Sequence, residues 1–177
     1  MCSRDVSAGF PQPGHDHHPC RLRFVAGAEA VCREKGARLT RVRRQVLEIL
    51  AASHRPLGAY DILEQMVSTS PSGRRPAPIT VYRVLDFFQE LGMVHRLSSR
   101  NAFFLCSQGG HRQTMPFWLC RECDTVTEAS LPELEMAMPR RAAELGFSPI
   151  SVQVEVEGVC PHCRARGRDP VMVEGCR

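Results

Sequence analysis

Cys120-Arg121-Glu122-Cys123 and Cys160-Pro161-His162-Cys163 are two C-x-x-C knuckles. Each lies beside a short apolar run, Phe117-Trp118-Leu119 at the first and Val152 to Val159 at the second. A single knuckle is ambiguous, because it also fits a redox dithiol or a chance spacing. Two of them supply four thiolates, which complete the tetrahedral shell of a zinc ion and leave no open position. That is the pattern of a structural site. The expected ion staples the start of a small domain to its end.

The remaining composition bounds the rest of the molecule. A chain of 177 residues has room for one large or two small domains. No apolar run approaches the ~18 residues of a transmembrane helix. Residues 1–20 carry one Arg and no apolar stretch, so they do not read as a secretory signal. Nine cysteines also fit a secreted disulfide scaffold. The chain length and the four cysteines held in knuckles instead favour metal binding in a reducing cytoplasm.

The net charge of +4 is unevenly distributed. Residues 21–100 hold 14 Lys/Arg against 7 Asp/Glu, whereas residues 101–163 hold 4 against 8. A basic half beside an acidic half points to a polyanionic partner for the first, with a solvated basic face as the plainer alternative.

Along the chain, residues 1–20 lack periodicity and read as a disordered arm; its His15, His17, His18 and Cys20 could bind metal, with a flexible polar tail that merely contains histidines as the favoured reading. Leu22, Val25, Ala28 and Cys32 mark a first helix stopped near Gly36. Thr40 is the expected N-cap of a second, with Leu39, Val42, Val46, Ile49 and Leu50 on one face. His54 to Gly58 is a break. Ala59, Ile62, Leu63 and Met66 define a third helix. After a loop over 68–78, a fourth runs from Ile79 to Leu91, with Val81, Val84, Leu85, Phe88 and Leu91 buried and Gly92 ending it. Val94–Leu97 and Ala102–Cys106 then form a β-hairpin.

Helices followed by a hairpin outline a winged helix-turn-helix, whose second motif helix enters the major groove by its N-terminal residues. Here that helix begins with Thr80, Tyr82 and Arg83. Arg83 can pair with guanine in bidentate fashion, and the two hydroxyls can meet phosphate or a base edge. Asp86 and Glu90 would repel phosphate, so only the first turns enter the groove. A core helix with incidental polar residues is the competing reading.

The second half changes character. Phe117–Leu119 and Thr125–Glu128 read as strands about the first knuckle. Leu131–Leu145 reads as a helix that Pro139 kinks or splits. Phe147–Val159 reads as one long alternating strand able to pair with a second copy of itself. The fold class expected is therefore α/β, with a winged helix-turn-helix DNA-binding domain (21–100), a metal-binding α/β dimerisation domain (101–163) and a flexible tail (164–177). Cys176 is given no role.

The chain resembles the ferric uptake regulator family of metal-sensing repressors. The matching pieces are Arg38-Leu39-Thr40-x-x-Arg43, Ala59-Tyr60-Asp61, Thr80-Val81-Tyr82-Arg83-Val84-Leu85 and the paired knuckles, in the family's order across about residues 22–163. Arg41 departs from the family's usual Pro and adds phosphate affinity. By resemblance to the zinc uptake regulator branch, His95, Cys106, His111 and Glu128 are the ligands of a second, regulatory zinc. One thiolate, two imidazoles and one carboxylate suit that ion. His111 is the weakest member, since its loop carries no other histidine.

The resemblance implies a homodimeric, cytoplasmic repressor of zinc-uptake genes. It implies two Zn2+ per chain and a palindromic double-stranded operator, with no membrane or small-molecule partner and no enzymatic activity. Zinc would set the geometry of the reading heads, with Arg38, Arg41, Arg43 and Arg44 on phosphates. The rivals are a sibling sensor for iron, manganese, nickel or peroxide, a structural zinc module, and a zinc hydrolase or deaminase. The last lacks an H-E-x-x-H or H-x-E…P-C-x-x-C element.

Overall fold

The computed structural model describes residues 9–12, 14–69, 75–106 and 115–167. They fall into two compact units. The first spans the described residues from Gly14 to Cys106, and the second those from Met115 to Gly167 together with Gly9–Gln12.

In the first unit the apolar spacing of the sequence becomes a helical core. Helix α1 (His18–Glu34) buries Cys20, Ala28 and Cys32, and α2 (Arg41–Leu50) buries Val46, Leu47, Ile49 and Leu50. Thr40 caps α2 as expected, its side chain accepting from the Arg43 amide at 3.4 Å. Helix α3 (Ala59–Ser68) buries Ala59, Ile62, Leu63 and Met66, while α4 (Pro78–Glu90) buries Val81, Val84, Leu85 and Phe88. Gly92 follows α4 at φ +67°, the left-handed geometry that a helix C-terminus asks of glycine.

Ala28 of α1 and the stripes of α2 to α4 meet in one cluster with Met93, just before the following sheet, and with Val94 and Phe103 of that sheet. The sheet order is β1-β3-β2, antiparallel, from β1 (Leu57–Gly58), β2 (Val94–Leu97) and β3 (Ala102–Leu105). The wing hairpin turns through a short 3-10 segment, Ser98–Arg100, and Asn101 at φ +47°.

Several expectations for this half need correction. The arm assigned to residues 1–20 is ordered where it is described near its end: α1 begins at His18, and Cys20 is 1% exposed. Leu22, placed on the buried stripe, is exposed. The break after α2 contains strand β1, whose two residues pair with Phe103 and Ala102. Pairing with β1 and β2 keeps β3 in the first unit, past the boundary expected at residue 100.

The second unit is a three-stranded sheet of order β5-β4-β6 with two helices. Strand β4 (Phe117–Cys120) runs antiparallel to β5 (Val126–Glu128) and parallel to β6 (Glu155–Gly158). Between β5 and β6 lies α5 (Pro132–Glu144), which runs through Pro139 as a single element, and α6 (Pro161–Arg164) carries the second knuckle. The long strand expected over 147–159 is shorter: among the described residues the ladder with β4 covers 155–158, with Val154 accepting from the Phe117 amide at 2.9 Å just before it. Phe147 and Ile150 upstream of it are exposed.

Candidate metal centres and nucleic-acid interface

The four-cysteine cluster is built by sheet topology. Parallel pairing of β4 with β6 sets Cys120 opposite Gly158, so both knuckles emerge at the same end of the sheet. Asp124, at φ +59°, turns the first knuckle tightly enough for its amide to reach the Cys120 carbonyl at 2.9 Å. The Cys160 amide donates to Cys120 Sγ at 3.3 Å. All four sulfurs lie within 4.8 Å of one another, and Cys120, Cys160 and Cys163 are buried.

Cys123 Sγ and Cys160 Sγ are 3.8 Å apart. Tetrahedral zinc with ~2.3 Å bonds requires ligand sulfurs ~3.8 Å apart, so this pair has the required spacing. Burial and local hydrogen bonds shift the thiols in opposite directions. Burial pushes Cys120 up, but the amides of Cys160, Cys123 and Glu122 bring it down to about 7. Burial and the neighbouring sulfurs push Cys163 up to about 12. Four thiolates this close would need a cation among them. Zinc fits, and these four residues would hold it.

In the first unit, His95 on β2 stands opposite Phe104 on β3, their rings 5.6 Å apart. Cys106, just beyond β3, is buried and donates its amide to the Met93 carbonyl at 2.9 Å. A ring nitrogen of His95 and Cys106 Sγ lie within 4.8 Å of each other. The wing hairpin thus presents an imidazole and a cysteine sulfur together. In the second unit Glu128 ends β5 opposite Phe117 and is buried. A buried carboxylate is tolerated only with a partner for its charge. His111 lies outside the described residues.

For nucleic acid, Pro78 and Ile79 open α4 and place Thr80, Tyr82 and Arg83 in its first turns. Arg83 is exposed, whereas Tyr82 packs partly against the core. The arginines around α2 divide into two kinds. Arg38 and Arg41 are exposed. Arg43 donates to the Arg38 carbonyl at 2.6 Å and stacks its guanidinium 3.3 Å from the Phe87 ring centroid. Arg44 is paired with Glu29. The latter two are already engaged within their own unit, a division that charge counting does not reveal.

The arm histidines also separate. His15, His17 and Cys20 gather with His54, while His18 is exposed and apart from them. Sequence reasoning misses His54 as a partner because it lies in a bend far along the chain. The His-x-His spacing at 15 and 17 is the only signal.

The ferric uptake regulator family model matches residues 34–157. The zinc uptake regulation protein of Escherichia coli strain K12 is 34% identical over 157 residues, covering 87% of this chain and 85% of that protein. A solved zinc uptake regulator complexed with zinc and DNA superposes with a TM-score of 0.76 at 31% identity, over 83% of this chain and 97% of its own. Holo XcZur superposes with a TM-score of 0.71 at 36% identity, over 81% and 98%.

Proposed function

The chain belongs to the ferric uptake regulator family, and from that premise we propose that it is a zinc-responsive, DNA-binding transcriptional repressor of zinc-uptake genes. The observation that carries this reading is the pairing of His95 with Cys106 on the wing of a winged-helix unit. Nitrogen with sulfur is a donor set for zinc, whereas iron and manganese sites lean on oxygen.

Two zinc ions per chain have separate tasks. Cys120, Cys123, Cys160 and Cys163 hold the structural ion, which folds the second unit around itself. The regulatory ion takes His95 and Cys106, with His111 and Glu128 as the further ligands that the sequence resemblance implies. Occupancy of this site governs how the reading head is presented. Without zinc the DNA-competent form is a minor population, and apparent affinity falls by that fraction.

On DNA, the first turns of α4 read bases through Arg83, with the Thr80 and Tyr82 hydroxyls beside it. Arg38 and Arg41 meet phosphate, while Arg43 is stacked on Phe87 and Arg44 is paired with Glu29. The exposed apolar residues Met136, Leu145, Phe147 and Ile150 of the second unit support a homodimer that covers them. A two-fold dimer would match a palindromic operator. Among the described residues no helix is long and apolar enough to cross a membrane. Action in the cytoplasm, without enzymatic activity, completes the proposal.

The test is fluorescence anisotropy on duplex from the upstream region of a zinc-import gene, with free zinc buffered over a wide low range. Binding should switch on with zinc and be lost in Cys106→Ser while the four-thiolate zinc is kept. Binding that ignores zinc, or a Cys106→Ser variant that responds normally, would overturn the sensor assignment.

A further inference from the structure

We propose that His15, His17, Cys20 and His54 form a third zinc site, wholly within the DNA-reading unit and separate from the two zinc centres assigned above. It ties the start of α1 to the bend after α2. The ligand atoms of these four residues all lie within 4.8 Å of one another.

The local chain explains how three ligands come to one side. Asp16 accepts from the His18 amide at 2.8 Å, turning the backbone just before Pro19 opens α1. That turn brings His15 and His17 together, ring centroids 4.3 Å apart, ahead of Cys20 in the first helical turn. His54 comes from the bend before β1 and closes the group, its ring 4.9 Å from His15 and 5.0 Å from His17.

The spacings are those of a coordination shell. His15 Nε2 lies 3.4 Å from Cys20 Sγ and 3.2 Å from His54 Nε2. Tetrahedral zinc with Zn–N of ~2.0–2.1 Å and Zn–S of ~2.3 Å places ligand nitrogens roughly 3.3 Å apart and nitrogen and sulfur roughly 3.6 Å apart. One nitrogen thus sits at ligand distance from both neighbours, as convergence on a single ion demands.

A further observation points to an ion. Nδ1 of His17 is buried with no hydrogen-bond partner among the described residues, and a buried polar atom left so asks for an explanation. Cys20 is 1% exposed, which shields its thiolate once bound.

Three nitrogens and one sulfur make a closed, borderline-soft set that suits zinc and leaves no position for substrate. The role is therefore mechanical. Zinc here pins the arm to the helical core of the reading unit and stabilises that unit by ordinary ligand linkage.

The test is zinc content per full-length chain after equilibration with a weak chelator, for wild type, His54→Asn, Cys106→Ser and the double variant. His54→Asn should carry one zinc fewer than wild type, and the double variant one fewer than Cys106→Ser. The combined arm variant His15→Ala/His17→Ala lies outside the helical core and should repeat the loss with unchanged helical circular dichroism. Equal zinc in wild type, His54→Asn and the arm variant would overturn the site. So would a double variant with no less zinc than Cys106→Ser. The count is independent of DNA binding, so it can stand if the repressor reading fails, and fall if that reading holds.

Discussion

Cys120 stands opposite Gly158 across the parallel pair β4 and β6, and two residues later the Cys160 amide closes on Cys120 Sγ at 3.3 Å. This register converts two knuckles distant in sequence into one four-sulfur cluster. It also makes the cluster the clamp on the sheet itself, because β6 is short and has only β4 as its neighbour among the described residues.

Removing that clamp should therefore unfold the second unit and spare the first. Structural zinc supplies roughly 10–16 kcal/mol in zinc-finger peptides, more than a small sheet can replace. Cys163→Ser should lose one zinc and the dimer, while the α1–α4 core keeps its helical signal. Zinc analysis beside circular dichroism decides this. A folded dimer lacking that zinc would refute it.

Arg83 and Arg44 should behave differently on DNA. Arg83 is exposed at the start of α4, so Arg83→Ala should cost about 1–3 kcal/mol and relax preference at one base position. Arg44 is engaged with Glu29, and an exposed pair of this kind is worth only ~0–1 kcal/mol to the fold. Arg44→Ala should leave the salt dependence of binding nearly unchanged. Salt titrations of both variants measure the contrast, and equal losses would count against it.

The apolar face of the second unit offers a third expectation. Ile150 and Phe147 are among its most exposed large side chains. If a second copy covers them, Ile150→Glu combined with Phe147→Glu should halve the mass seen in sedimentation, with zinc content intact. An unchanged mass would move the interface elsewhere.

Phe88 is fully buried where the helical stripes meet the wing sheet. Phe88→Ala should destabilise the first unit by about 3–5 kcal/mol, from lost transfer energy and the cavity left behind. Denaturant unfolding followed by helical signal reads this directly. A loss below about 1 kcal/mol would mean that the site collapses to fill the gap.

Local chemistry is legible in the linear chain. Thr40 as a cap depends only on its own hydroxyl and the amide three residues on. The stripe Ala59, Ile62, Leu63 and Met66 follows from helical period alone. The features that escape a linear reading depend on partners far along the chain. Strand β1 exists only because Phe103 and Ala102 offer it an edge, and two residues carry no period of their own. Residues 147–153 alternate in part as a strand would, yet among the described residues they join no ladder, and alternation alone does not make one.

The sequence by itself determined helices α2 to α5, the wing hairpin, the paired knuckles and the residues that resemble a regulatory zinc site. These rest on periods, caps and spacings within a few residues. Tertiary structure alone decided that the knuckles meet at one end of a parallel pair, and that Arg43 stacks on Phe87 and Arg44 pairs with Glu29. It alone also brought His54 to the arm histidines and Cys20. Each of these needs the chain to close a loop, and a linear pattern does not reveal which distant partner closure will supply.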